Sequence, residues 1–408
     1  MWFEIGKFGA LFQVWGFVHF FRVFRVFRGF YSHNPELLRV HLFRVFRGRI
    51  AFRIPISGFI TATLNSYVSE LASRVAALSS YKGRERHLMA EPVILGIDIG
   101  GTKSAVLLGA ANGEILYRLG EETRANERTP YEILDRLAEM AKEAVRTMGL
   151  SLSEVRGVGI SCGGPLDSKT GVVYSPPNLP GWQAIPVKAH LEKALGIPVI
   201  VENDANATAL AEWMFGAGRG ANNVVFMTMG TGIGAGLILD GKLYRGTNDL
   251  AGELGHQTIL INGPLCNCGK RGCLEALASG PSIARLARES MMYGRHKRVL
   301  ALAGGKPDDI TARHVVEAAQ EGDPFAIQIL DEAGTYMGVG IANVIQTLNP
   351  ERVILGTIAV HAGELIMEPI RRAVREYAWE RAWKVCKILP AELGDRAQDL
   401  AAIALVLQ

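Results

Sequence analysis

Short apolar runs alternate with longer amphipathic stretches from Val93 to the end of this chain. Short apolar runs bounded by glycine, proline or asparagine are typical of buried strands, whereas apolar residues repeating every three or four positions indicate a helix. The first pattern predicts strands at Val93–Asp98, Ser104–Ala110, Glu114–Thr123, Val155–Ser161, Pro198–Val201, Asn223–Met229, Gly234–Leu239 and Glu351–Gly356. The second predicts helices at Pro130–Met148, Val187–Leu195, Ala205–Phe215, Pro281–Met291, Thr311–Gln320, Pro324–Gln346, Gly363–Trp379 and Asp395–Val406.

The order of these elements predicts a mixed α/β fold with two similar lobes. A meander of strands followed by a helix and a further strand occurs twice, beginning at Val93 and again at Val224. Strands that alternate with helices indicate a sheet with helices on its faces. We therefore expect a small lobe over residues 89–203 and a large lobe over residues 204–394, with a cleft between them. The last helix, residues 395–408, is expected to return to the small lobe.

Composition divides the chain near residue 89. The first 88 residues carry 13 Lys and Arg against 4 Glu and no Asp, and they hold 13 of the 16 Phe. HFFRVFR at His19–Arg25 returns as HLFRVFR at His41–Arg47, a pattern with the period of neither a strand nor an amphipathic helix. We predict that this segment is not a functional domain and that translation naturally starts at Met89. The alternatives are an organellar transit peptide or a segment lying on an anionic membrane.

The remaining residues, 89–408, have a net charge of −5, so the overall charge of +4 gives no argument for a nucleic-acid partner. They are numerous enough for two packed domains. The chain has only five cysteines and no convincing secretory signal, which favours a cytoplasmic protein without a disulfide framework. A membrane partner is expected only if the N-terminal segment belongs to the mature protein.

Three of the five cysteines lie near one histidine in a glycine-rich stretch. Within eighteen residues this stretch holds four candidate zinc ligands, His256, Cys266, Cys268 and Cys273. Four protein ligands complete a tetrahedron and leave no open position, so the predicted zinc is structural. The alternatives are free or disulfide-bonded cysteines. Glu253 and Glu275 flank the ligands and are predicted to be presented to another molecule by the metal-bound loop.

Two glycine turns occupy matching places in the predicted lobes. DIGGTK, residues 98–103, and GTGIG, residues 230–234, each join two predicted strands. Glycine lets backbone N–H groups approach an anion closely, so two such turns facing each other across a cleft predict a phosphate site. Asp98 is predicted to hold Mg²⁺ through water; the alternative is that it only caps the turn.

A third candidate is VENDANA, Val201–Ala207, where a predicted buried strand ends at Asn203 and Asp204. Ligand sites of open sheets lie at the carboxyl ends of strands, and a carboxylate aimed there at a substrate hydroxyl would suit a general base. The alternative is that Asp204 only caps the helix beginning at Ala205, a role that Asp favours.

DIGGTK, VENDANA, MGTGIG and GELGH followed by CNCGKRGCLE together resemble the ROK family of sugar kinases and repressors, within the actin-like ATPase superfamily. The resemblance covers residues 89–408. It implies a two-lobed, ribonuclease H-like fold that binds MgATP and a hexose in the interlobe cleft and forms a homodimer or higher homo-oligomer. The implied reaction is phosphorylation of a sugar 6-hydroxyl with Asp204 as the base. Glucose is the first candidate; N-acetylmannosamine, N-acetylglucosamine and fructose are the alternatives.

The resemblance also implies two sets of site residues. The sugar hydroxyls would be held by Asn203, Asp204, Glu253, His256 and Glu275, beside a pocket wall formed by Gly163, Gly164 and Asn178. The phosphates, Mg²⁺ and adenosine would be met by Asp98, Gly100, Gly101, Thr102, Lys103, Thr231, Gly232 and Gly356. His256 would bind zinc through one ring nitrogen and offer the other toward the sugar.

The chain departs from the family pattern in three places. Where family kinases carry a run of glycines near the adenosine site, it reads VILGTIAV, Val353–Val360. Its last helix reads AQDLAAIA from Ala397 in place of an AGLIGA-like start, and CGGPLD replaces the common GxPGPxD loop. These differences bear on the phosphate donor and on sugar preference.

The competing class is a sugar-responsive transcriptional repressor, which adds an N-terminal winged helix-turn-helix to the same fold. Residues 1–88 show no helix-turn-helix spacing, and Asp204, which such repressors often lack or do not use, is present. Both features favour the kinase.

Overall fold

The structure is a computed structural model that describes residues 93–290 and 297–408. Residues 1–88, predicted not to form a functional domain, lie outside the described residues. Within the described part, no helix is both long enough and apolar enough to cross a membrane.

Strands and helices alternate through most of the described chain. The strands are β1 (Val93–Ile99), β2 (Lys103–Gly109), β3 (Ile115–Glu122), β4 (Val155–Cys162), β5 (Leu166–Asp167), β6 (Val172–Val173), β7 (Ile185–Pro186), β8 (Val199–Asn203), β9 (Val224–Met227), β10 (Ala235–Leu239), β11 (Lys242–Tyr244), β12 (Arg352–Leu355) and β13 (Lys387–Pro390). The α-helices are α1 (Pro130–Thr147), α2 (Val187–Leu195), α3 (Asp204–Phe215), α4 (Leu274–Ala278), α5 (Gly280–Ser290), α6 (Lys297–Leu302), α7 (Ala312–Gln320), α8 (Pro324–Leu348), α9 (Ile358–Ala362), α10 (Glu364–Tyr377), α11 (Glu380–Trp383) and α12 (Ala397–Leu407). Short 3₁₀ turns occur at Leu152–Glu154, Leu254–His256, Pro307–Asp309 and Gly394–Arg396.

Two five-stranded sheets share one topology. In the first, with order β3-β2-β1-β4-β8, the strands β1 to β3 form an antiparallel meander, and β4 and β8 continue parallel to β1. In the second, with order β11-β10-β9-β12-β13, β9 to β11 form the meander, and β12 and β13 continue parallel to β9. The repeated meander agrees with the sequence pattern, and the predicted mixed α/β fold is confirmed.

Helices cover the sheets and bury their apolar faces. Helix α1 begins with Thr129 and Glu132 in a capping box, with Pro130 in its first turn, and it packs its apolar stripe on the first sheet. The long α8 pairs with α10, and both contribute to the core beside the second sheet. Burial of these apolar faces is the main stabilising term for helices of this kind.

The last helix, α12, connects the two halves of the fold. It contacts β1 and β4 of the first sheet and also α3, whose other neighbours include β9 and β10 of the second sheet. Its residues from Leu400 to Leu405 are all buried, as expected for a helix that is apolar on every side. A Cβ on Gly159 of β4 would overlap the carbonyl oxygen of Ala402, so glycine is what permits this close approach.

Candidate active site

The carboxyl ends of three neighbouring strands meet at one edge of the first sheet. Ile99 of β1 is in register with Cys162 of β4, and Cys162 is in register with Asn203 of β8. Asp98, in β1, and Asp204, directly after β8, therefore lie at the same edge. Such edges are where open α/β sheets bind ligands.

Asn203, rather than Asp204, caps α3. The Asn203 Oδ1 accepts hydrogen bonds from the N–H groups of Ala205 at 2.9 Å and Asn206 at 3.4 Å, and the helix begins at Asp204. The alternative interpretation of Asp204 as the cap is therefore corrected: the amide of Asn203 takes that role. A Cβ on Gly164 would lie 3.0 Å from the Asn203 Nδ2, which brings these two predicted sugar-side residues together.

Asp204 has part of its surface exposed to solvent, but protein atoms surround its carboxylate. Desolvation raises its pKa most, the nearby Glu253 charge raises it further, and the N–H of Ala205 opposes both effects. Glu253 is exposed and lies in the second half of the fold, so an acid of that half acts on this carboxylate. A raised pKa suits a group that accepts a proton.

Asp98 is the second carboxylate at this edge whose pKa is raised. Burial raises its pKa to about 7, with further contributions from the charges of Asp204 and Asp399, while Arg118 opposes them. Arg118 is itself paired with Asp399, with Nε 2.9 Å from Oδ2. Mg²⁺ in proteins usually takes one or two carboxylates and keeps several waters, so a single carboxylate such as Asp98 at this edge is compatible with the predicted metal.

The first glycine turn joins β1 to β2 and leaves two backbone donors available. The Gly100 N–H donates to the Lys103 carbonyl at 3.2 Å, and the Thr123 hydroxyl donates to the Gly100 carbonyl at 2.6 Å. Within the described residues, the N–H groups of Gly101 and Thr102 have no protein partner. A Cβ on Gly101 would overlap the carbonyl oxygen of Asn178, so the turn and the predicted sugar loop are in contact.

The second glycine turn, Gly230–Gly234, joins β9 to β10 and has the same property. The Gly230 N–H donates to the Gly232 carbonyl at 3.0 Å, and the Gly234 N–H donates to the Thr228 hydroxyl at 3.0 Å. The Ile233 N–H donates to Glu275. In the described part of the chain, only the N–H groups of Thr231 and Gly232 in this turn are without a protein acceptor.

The second turn also lies beside the start of α3. A Cβ on Gly234 would lie 3.1 Å from the Cβ of Ala205, the residue after Asp204. Asp204 therefore precedes a residue that contacts the second turn, and its charge acts on Asp98, which leads into the first turn.

The four predicted zinc ligands converge. Their ligand atoms all lie within 4.8 Å of one another. Cys266 Sγ is 3.7 Å from His256 Nδ1, and Cys268 Sγ is 3.7 Å from Cys273 Sγ. Two sulfur ligands each about 2.3 Å from a tetrahedral zinc lie roughly 3.8 Å apart. The cluster therefore fits zinc, and the described cysteines form no disulfide.

Two predicted sugar-binding residues, Glu253 and Glu275, lie close to the predicted zinc ligands. The Nε2 of His256, which faces away from the cysteines, lies 3.8 Å from Glu253 Oε2. Glu275 accepts a hydrogen bond from the Ile233 N–H on Oε2 at 2.9 Å, while its Oε1 lies 3.7 Å from Cys266 Sγ. Glu275 thus links the cysteine cluster to the second turn, a contact that the sequence did not predict.

A cavity of about 460 Å³ adjoins the second turn on the side of α5 and α7. Its lining includes Thr231, Gly280, Pro281, Ala284, Arg288, Thr311 and Ile358. Of these, only Thr231 was predicted to be a site residue. Most of the others are small or apolar residues in or next to α5, α7 and α9, and they look like ordinary core positions in the sequence, whereas Arg288 is charged. The predicted Gly356 is near: its N–H donates to the Met227 carbonyl at 2.9 Å, where β12 runs beside β9.

The sequence pattern of the ROK family matches residues 94–408. The chain belongs to the ROK family. A glucokinase from Thermotoga maritima is 37% identical over 313 residues, which are 77% of this chain and 96% of that protein. A xylose repressor from Caldicellulosiruptor bescii is 32% identical over 314 residues, which are 77% of this chain and 78% of that protein.

Solved structures of ROK proteins are also similar to this chain. The crystal structure of a ROK family glucokinase from Streptomyces griseus, in complex with glucose and AMPPNP, superposes with a TM-score of 0.64 at 35% identity. The match covers 76% of this chain and 97% of that one. A ROK hexokinase from Thermus thermophilus gives a TM-score of 0.66, also at 35% identity, over 77% of this chain and 97% of the other. The predicted ROK family is confirmed, and these relatives confirm the predicted class, a sugar kinase.

Proposed function

We propose that this ROK protein is an ATP-dependent hexose kinase that phosphorylates the 6-hydroxyl of glucose. The observation that carries the proposal is the position of Asp204. Its charge acts on Asp98, which leads into the first glycine turn, and the next residue, Ala205, contacts the second turn. Among the described residues, each of these turns has two N–H groups without a protein acceptor. A base beside a phosphate cradle is the arrangement that phosphoryl transfer to a hydroxyl requires.

In this proposal Asp204 orients the sugar hydroxyl and accepts its proton. Phosphoryl transfer depends mainly on positioning and on stabilising charge, so a strong base is not needed. The raised pKa of Asp204 nevertheless makes the carboxylate a better acceptor than an ordinary surface Asp. Asn203 would hold a neighbouring hydroxyl through its Nδ2, because its Oδ1 is committed to the helix cap.

The two turns would hold the phosphates. The N–H groups of Gly101 and Thr102 in one turn, and of Thr231 and Gly232 in the other, are the donors we assign to phosphate oxygens. Mg²⁺ held near Asp98 would neutralise phosphate charge when bound. The cavity beside Thr231 is large enough for the nucleoside.

The sugar would be held by Glu253, His256 and Glu275, from a loop fixed by structural zinc on His256 and the three cysteines. Neutral hydroxyls pair with carboxylates and imidazole, and a pocket of this kind offers no cation for an acidic sugar. The predicted pocket wall of Gly163, Gly164 and Asn178 would complete this side. The predicted homo-oligomer and the cytoplasmic location remain predictions.

The proposal is tested by measuring kcat/KM with MgATP for glucose, N-acetylmannosamine, N-acetylglucosamine and fructose. Glucose is expected to be preferred by tenfold or more, about 1.4 kcal/mol, because a buried hydroxyl site loses much when a partner is missing. A preference of that size for an N-acetylated hexose would replace glucose and leave the kinase in place.

The second candidate is a sugar-responsive repressor, favoured by the 32% identity to a xylose repressor. The same sugar panel separates the two classes. A repressor would bind a sugar, detected by calorimetry, and transfer no phosphate to any member of the panel.

A further inference from the structure

Thr357 holds a backbone conformation that β-branched residues rarely adopt. Its φ of 54° and ψ of −111° lie in the left-handed half of backbone space, where only glycine is free of steric strain. It directly follows Gly356, within the stretch where the family resemblance leads us to expect glycines. A threonine kept in a conformation made for glycine suggests that its side chain has a task that glycine cannot perform.

The Thr357 hydroxyl contacts the short segment between β9 and the second glycine turn. Its Oγ1 accepts a hydrogen bond from the Met229 N–H at 2.9 Å. The next residue, Ile358, donates its own N–H to the Met229 carbonyl at 3.0 Å. Thr357 and Ile358 together therefore satisfy both backbone polar groups of Met229.

Met229 is the residue immediately before the turn. Beyond it, Gly230 is fixed by its N–H bond to the Gly232 carbonyl and by the Gly280 N–H, which donates to its carbonyl at 2.8 Å. A Cβ on Gly230 would lie 3.6 Å from the Thr357 Oγ1, so the hydroxyl is close to the turn itself. The two available donors of the turn, on Thr231 and Gly232, follow directly.

We propose that Thr357 is a positioning residue for the nucleotide. Its hydroxyl anchors Met229, and the anchored Met229 fixes the direction in which the N–H groups of Thr231 and Gly232 point at a phosphate. The proposal rests on the proposed kinase function and adds a residue to it. The hydrogen bond from the Met229 N–H to the Thr357 hydroxyl would thus stabilise the second glycine turn. Thr357 makes this bond from a backbone conformation that favours glycine.

The test compares Thr357→Val, which keeps the branched shape and loses the hydroxyl, with Thr357→Ser, which keeps the hydroxyl. Thr357→Val is expected to raise KM for MgATP five- to tenfold and to leave KM for glucose within twofold of the original protein. Thr357→Ser is expected to stay within twofold for both substrates. Hydrogen exchange at the Met229 amide should become faster in the valine variant only.

Equal effects of valine and serine, or a rise in KM for glucose as large as that for MgATP, would overturn the proposal. If Thr357→Val does not fold, Thr357→Gly replaces it, because glycine adopts this backbone conformation without strain and also lacks the hydroxyl.

Binding of AMPPNP, measured by calorimetry on the same variants, separates this proposal from the proposed function. A chain that binds AMPPNP and transfers no phosphate would refute the kinase, while the valine–serine comparison of AMPPNP affinity would still decide the role of Thr357. An original protein that binds no AMPPNP would refute the role of Thr357 as well.

Discussion

Burial and the negative charges of Asp204 and Asp399 raise the pKa of Asp98. Its pKa of about 7 in the folded chain lies well above the ordinary value of 3.8. Between pH 3.8 and about pH 7, Asp98 keeps a proton in the folded state that it releases in the unfolded chain. Its contribution to the stability of the folded state is therefore fully present below about pH 4. That contribution is lost as the pH rises to 7. A shift of this size corresponds to at most about 4 kcal/mol.

Asp98→Asn is therefore expected to stabilise the protein without nucleotide at pH 8 and to have little effect near pH 4. The measurement is the thermal unfolding midpoint of both proteins at the two pH values, without Mg²⁺. A difference of several degrees at pH 8 that shrinks near pH 4 supports the assignment. Equal midpoints at both pH values would show that Asp98 is not held in a costly charged state.

The sequence predicted which residues belong to the candidate site better than it predicted the contacts that these residues make. Asn203 and Asp204 could be predicted at a strand end because the apolar run VIV is followed by polar residues. Which of the two caps the helix depends on backbone angles, and the structure gives that role to Asn203. The contact of Glu275 with the Ile233 N–H joins positions 42 residues apart, and no local pattern carries that information.

The loop between β11 and α4 is the element that we expect to depend most on a metal. It is held by short backbone bridges, Thr258 to Cys273 and Leu265 to Arg271, and most of its length has no apolar core of its own. Four converging ligands are therefore expected to supply its order through zinc, since metal binding energy becomes folding energy in such loops.

We expect one zinc per chain, and we expect Cys268→Ser to lose it. Loss of the metal should disorder residues 253–275 and raise KM for the sugar by at least about tenfold, with little change in the fold elsewhere. Metal analysis and hydrogen exchange measure the two effects. Cys386→Ser is the matched control, because Cys386 is a free cysteine outside the cluster. Stoichiometric zinc retained by Cys268→Ser, or absent from the original protein, would contradict this account.

Long elements were predictable and short edge elements were not. The helix predicted at Thr311–Gln320 is observed at Ala312–Gln320, because its apolar spacing is strong over nine residues. Strand β13, Lys387–Pro390, is short, half-exposed and ends in proline, so it has no alternating pattern to detect. The small sheet of β5, β6 and β7 has two residues per strand and is defined only by its pairing.

Over the described residues, one sheet topology occurs twice, and candidate residues come from both copies. Asp204 begins the helix that follows the first sheet, while Glu253 and the second turn belong to the second. The meander pattern predicted both sheets, but the packing of α3 and α12 between them follows from tertiary contacts that no periodicity records.

The decisive measurement is kcat at saturating glucose and MgATP for the original protein and for Asp204→Asn. We expect glucose 6-phosphate as the product, identified by NMR, and a kcat of the variant that is lower by about 10²-fold or more. Glucose affinity by calorimetry should change much less, because the other hydroxyl contacts remain. Asp240→Asn, at an exposed acid on the hairpin between β10 and β11, is the control and should keep the original rate. A near-normal rate in Asp204→Asn, or phosphate on a different hydroxyl, would contradict the account.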